Sequence, residues 1–154
     1  MSPQLPDQLV SVGVDVIDEQ HEVLLRMYSD IEQARTVGAP EGLVVERLAD
    51  FHQFARIHFA TEESLLAEHV PERLAPHRRV HEYLLERLRT AIVRYRRDGG
   101  PVPEALVRLV RGFVVDHTQE TDTRDLARVS ERIRRPDRPD PKPQEHHHAT
   151  RPSR

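Results

Sequence analysis

The sequence predicts an all-α protein, an up-down-up-down antiparallel four-helix bundle with an N-terminal extended arm and a disordered C-terminal tail. Three observations predict it. Apolar residues recur at alternating steps of three and four through four successive segments between Val14 and Arg135, the spacing that lines one face of a helix. Proline and glycine breakers leave links so short that consecutive helices must run antiparallel. The chain has 154 residues and no cysteine, so it can bury a continuous core and has no disulfide to replace one.

The segment before Val14 contains Pro3, Pro6 and Gly13 and reads as the extended arm. A first helix is expected over about residues 16 to 37, capped by Asp15 with Asp18 and stopped by Gly38 and Pro40. The second runs from about Glu41 to Glu68. Pro71 and Pro76 flank the link to a third, over about residues 74 to 97, which ends at Asp98-Gly99-Gly100-Pro101. Pro103 opens the fourth. Beyond Arg135 the text is proline, charge and His146-His147-His148 with almost nothing apolar, too little to repay the entropy of ordering. The expected organisation is therefore a bundle domain over 1–135 and a tail over 136–154.

A formal net charge of −3 is too small to capture nucleic acid or an anionic membrane, and the basic spots Arg78-Arg79 and Arg94/Arg96/Arg97 read as solvated helix surface. No secretory leader and no membrane-length apolar run is evident, which makes a cytoplasmic protein the expectation. Without cysteine there are no disulfides, iron–sulfur clusters, thiolate zinc sites or covalently attached c-type haem. Any metal must sit on nitrogen and oxygen.

Tracing the inward seams brings out the chemistry. They read Ile17, His21, Leu24, Tyr28, Ile31; then Val44, Leu48, Phe51, Ala55, His58, Glu62, Leu65; then Leu74, His77, His81, Leu84, Leu88, Ala91, Tyr95; and Leu106, Val110, Phe113, His117. Five histidines and a glutamate thus fall on core positions. A lone inward histidine is more often a satisfied core residue than a ligand. Several together, with His58–Glu62 and His77–His81 each four apart on one helix face, would cost several kcal/mol apiece unless a bound cation compensated them.

After His117 the seam slips by one residue, since the next inward candidate is Asp122 and the rhythm resumes at Leu126, Val129 and Ile133. One extra residue is what a π-type turn accommodates, and such turns concentrate at functional sites. A π-turn, or a break between two helices, is predicted to bring Asp122 inward; an unbroken α-helix over 113–126 would refute it.

With these residues identified, the chain resembles the hemerythrin family in its single-domain bacterial form. The matching text is Val12-Gly13-Val14-Asp15 with Ile17-Asp18-Glu19-Gln20-His21, then His58-Phe59-Ala60-Thr61-Glu62-Glu63, then His77 to His81, then His117 to Asp122, spread over about residues 12 to 126. The resemblance implies a di-iron centre in which His77, His81 and His117 hold one iron and His21 and His58 the other, with Glu62 and Asp122 bridging. Five imidazoles, two bridging carboxylates and a shared oxo or hydroxo group would leave one position of an octahedral pair open, on the iron with two histidines.

The implied function is reversible O2 binding for storage, transport or delivery. Sensing of O2, nitric oxide or redox state, and enzymatic turnover of peroxide or nitric oxide, are the alternatives. Leu24, Phe59, Phe113, Val114 and Thr118 are expected to wall the O2 pocket. Thr118 departs from the apolar residue the family often has there, and tryptophan is absent; a hydroxyl at that place predicts faster oxidation to the diferric form. A ferritin-like oxidase would show paired Glu-x-x-His motifs instead. His52 and His69 extend no ligand geometry, and Glu63 points about 100° from Glu62, which fits a solvent-facing or supporting role rather than direct ligation.

Overall fold

Each amphipathic segment buries its apolar stripe against its neighbours, and the rods that result are α1 (Asp15–Thr36), α2 (Glu41–His69), α3 (Pro71–Asp98) and a compound fourth rod. The fourth is built from α4 (Glu104–Gly112), a π-helical stretch over Phe113–Asp122, and α5 (Thr123–Arg134). The structure is a computed structural model and describes residue 6 and residues 8–136. The tail expected over 136–154, with His146–His148, lies outside the described residues apart from Pro136.

Cross-helix contacts establish the antiparallel order. Between α2 and α3, Glu46 meets Arg96 at 3.1 Å near one end and Glu63 meets Arg78 at 2.7 Å near the other. Between α1 and α2, Asp30 faces Arg47 and Gln20 faces Thr61. Between α1 and the fourth rod, Arg35 pairs with Glu104 and His21 with Asp122. Position along one rod falls as position along its neighbour rises, which is the up-down-up-down arrangement. The surface arginines Arg78 and Arg96 thus work as ion-pair partners on the helix exteriors.

Three local expectations change. Asp15 is the first helical residue, not the cap. Asp18 alone organises the entry to α1, its carboxylate accepting from Val12 N–H at 2.7 Å, Gly13 N–H at 3.3 Å and the Ser11 hydroxyl at 2.6 Å. The α2–α3 link is the single residue Val70. Pro71 fits the first helical position, where its missing donor is not required, and Pro76 lies inside α3 at the cost of one early-turn hydrogen bond.

The core falls into two apolar clusters. The larger, with Leu24, Tyr28, Phe51, Phe59, Leu84, Leu88, Phe113 and Val114, fills most of the bundle. The smaller, with Val12, Val14, Ile17, Leu66, Val70, Leu126 and Val129, closes the end beneath the arm. Several seam residues expected inside are not fully so: Leu74, Ala91 and Tyr95 are only partly buried, with Ile92 taking the core position beside Ala91. Ile133 is half exposed, and Leu65 is only partly buried while Leu66 takes the core position. Near Ile133 the buried residue is Ser130, whose hydroxyl donates to the Gly13 carbonyl at 2.7 Å and so ties α5 to the arm. No helix among the described residues is long and apolar enough to cross a membrane.

Candidate metal centre

The polar layer lies between the two apolar clusters. His21, His58, Glu62, His77, His81, His117 and Asp122 are all buried, with His117 the most accessible at 8%. The seams bring each of them inward as the sequence predicts, and they converge. Their ligand-type atoms form two groups, one of Glu62, His77, His81, His117 and Asp122 and another of His21, His58, Glu62 and Asp122, all within 4.8 Å of one another in each group. Glu62 and Asp122 belong to both.

Asp122 reaches the layer through the π-helix predicted from the phase slip. In wider turns, residues five apart stack as residues four apart do in an α-helix. His117 and Asp122 therefore face the same way, and His117 Nε2 lies 3.0 Å from Asp122 Oδ1.

The donors are close but not mutually satisfied. His–carboxylate N···O distances run from 3.0 Å to 3.6 Å. Yet Nε2 of His21, His58, His81 and His117, Glu62 Oε1 and both Asp122 carboxylate oxygens are buried without an aligned hydrogen bond. Burial opposes the charge of Glu62, but His58, His21, His77 and His81 hold it ionised, well below the ordinary carboxylate range. Burial and the neighbouring Glu62 likewise oppose ionisation of Asp122, and His117 and His21 outweigh them. A donor set of buried nitrogen and oxygen lone pairs, with two carboxylates common to both groups, fits bound metal cations.

The Hemerythrin HHE cation-binding domain matches residues 12–129 of the chain. The chain belongs to the hemerythrin family. It is 29% identical over 115 residues to a bacteriohemerythrin of Stenotrophomonas maltophilia (strain R551-3), covering 73% of this chain and 72% of that protein. Bacteriohemerythrins of Pseudomonas aeruginosa, among them that of strain LESB58, are 25% identical over 113 residues, with the same 73% and 72% coverage. No solved structure matches the chain at comparable stringency.

Around the layer of this hemerythrin-family chain sit residues that sequence reasoning only partly found. Of the solvent-facing and supporting roles open to it, Glu63 takes the supporting one, 3.2 Å from His81 Nδ1. Gln20 and Asp125 were not anticipated: Gln20 Oε1 is 3.0 Å from His58 Nδ1, and Asp125 Oδ2 is 3.1 Å from His77 Nδ1. Both lie off the seams. The available signal was position, because Gln20 precedes His21 and Asp125 follows Asp122 by three residues, on the same side of the helix. His52 and His69 remain half-buried outside the two groups.

The expected pocket residues are all buried. Phe59 stacks on His81 with centroids 3.7 Å apart, and Phe113 stacks on His117 at 4.7 Å, so these rings shield the three-histidine group. Thr118 is buried, but its hydroxyl donates to the Val114 carbonyl at 2.6 Å, with Val115 O at 3.2 Å. The proton expected to hasten oxidation is therefore already committed to the backbone of the π-helix.

Proposed function

We propose that the chain is a non-haem di-iron oxygen-binding protein that takes up and releases O2 for storage, transport or delivery in the cytoplasm. One observation carries the reading: two buried donor groups, one with three histidines and one with two, share both carboxylates inside an apolar bundle. In this reading His77, His81 and His117 hold one iron, His21 and His58 the other, and Glu62 and Asp122 bridge them. The iron pair, when bound, supplies an open coordination position and the electrons that O2 accepts reversibly.

The remaining work falls to the chain. Leu24, Phe59, Phe113 and Val114 keep bulk water from the donors, all four being buried. Gln20, Glu63 and Asp125 each accept from an Nδ1–H, which leaves the Nε2 lone pairs of His58, His81 and His77 turned toward the centre. Thr118 keeps its proton on the Val114 carbonyl and away from bound ligand. The test is anaerobic loading with ferrous iron, followed by cycles of O2 and vacuum. A visible band that appears and disappears reversibly at two irons per chain supports the reading. Turnover of peroxide or nitric oxide without a reversible band would replace it with an enzyme.

A further inference from the structure

Three of the layer's histidines have a partner on the ring nitrogen that faces outward, and the partners differ in charge. His77 Nδ1 faces Asp125, which is fully buried and held by Arg73 Nε at 2.9 Å and Arg124 Nε at 3.0 Å. His81 Nδ1 faces Glu63, whose other oxygen accepts from Arg78 Nε at 2.7 Å. His58 Nδ1 faces an uncharged amide, and that amide is oriented. The Thr61 hydroxyl donates to the Ile57 carbonyl at 3.0 Å, so Thr61 Oγ1 accepts from Gln20 Nε2 at 3.3 Å and Gln20 Oε1 is left for His58. His21 Nδ1 is buried and makes no hydrogen bond among the described residues.

Both carboxylate partners therefore serve the three-histidine group, while the two-histidine group has one neutral partner. A carboxylate accepting from Nδ1–H pushes electron density onto the ring and makes Nε2 a stronger donor to a metal; an amide does so far less. The partly buried Arg73 and the exposed Arg78 and Arg124 keep the two carboxylates in place from outside.

We propose that Asp125 and Glu63 are positioning residues that make the three-histidine side the tighter metal position, and that Gln20 keeps the two-histidine side weaker, so that the chain gains and loses its metals in a fixed order. The inference rests on the paired-metal reading above. Its consequence is that the position expected to meet O2 is also the one more readily emptied and refilled.

The test uses the full chain loaded anaerobically with two ferrous ions and equilibrated with graded concentrations of a chelator of known affinity, counting the iron retained. The expected result is two steps separated by about tenfold or more in chelator concentration. Asp125→Asn and Glu63→Gln bring the late step earlier, each by about tenfold, with the early step unmoved. Gln20→Glu, which keeps the side chain's size, delays the early step by a similar factor and carries the test if Asp125→Asn does not fold. Unmoved steps in Gln20→Glu, or both steps moving together in Asp125→Asn, would overturn the inference while leaving two irons per chain. Fewer than two irons before chelator is added would overturn the paired-metal reading, and the inference with it.

Discussion

His21 stands between two carboxylates, and its proton is the first thing a metal must displace. Burial works against a charged imidazole there, but Asp122 and Glu62 more than compensate, and the pKa is raised from 6.5 to about 9. At His58 burial outweighs the pull of Glu62 and Asp122, with the nearby His21 adding to it, and the pKa is pushed down to about 4. The signs are opposite. In metal-free protein the His21 contribution to stability is present below pH 6.5 and lost as pH rises through about 9, whereas the His58 ring costs stability as pH falls from 6.5 toward 4. For metal uptake His21 must release its proton, and so must His77, where burial opposes the charge but Glu62, Asp122 and Asp125 outweigh it and raise the pKa. Apparent affinity for cobalt(II) should therefore rise about tenfold per pH unit between 7 and 9 for each proton displaced, then level off. Calorimetric titrations at a series of pH values, with proton release followed in parallel, check this; affinity independent of pH over that range would contradict it.

At the scale of elements, the fourth rod and the arm carry the unusual structure. The π-helix over Phe113–Asp122 has wide turns, and the Thr118 hydroxyl adds a bond to the Val114 carbonyl within them. Thr118→Val keeps the shape and removes that bond, so it should cost about 1 kcal/mol of stability by denaturant melting. Because the hydroxyl proton is already committed, the autoxidation rate of the iron-loaded protein should not change; a marked slowing would mean that the hydroxyl reaches the centre. Gly13 has φ +76°, and a Cβ there would lie 2.6 Å from Arg134 Nη2 and 2.8 Å from Ser130 Oγ. Gly13→Ala should therefore lower stability by about 1–2 kcal/mol and loosen the arm over the smaller core cluster, read as faster hydrogen exchange at Val12 and Val14. Unchanged melting would show that the arm is not latched to α5.

In the molecule as a whole, a layer of seven buried ligand-type residues separates two apolar clusters. The bundle cannot close that layer with hydrophobic contacts, so cations bound there contribute directly to folding free energy. Stripping metal from the full chain with a chelator should lower Tm by about 10 °C or more, and refilling should restore it. Equal Tm with and without stoichiometric metal would mean that the layer is satisfied by protons alone.

The four rods, the seven inward donors and the π-turn were legible in the text because a helix converts spacing into direction. His58 and Glu62, or His77 and His81, must share a face, and the five-residue step from His117 to Asp122 can be brought into line by a wider turn. The sequence by itself thus determined the fold class, the family and the inward donors. Tertiary structure decided what depends on distances between rods: that Asp125 and Gln20 reach His77 and His58, and that the Thr118 proton goes to the backbone. It also left Ile133 half exposed, because the arm and Ser130 close that end of the bundle first. Periodicity fixes the angle of a side chain about its own helix axis; only packing fixes how far apart, and at what height, two axes stand.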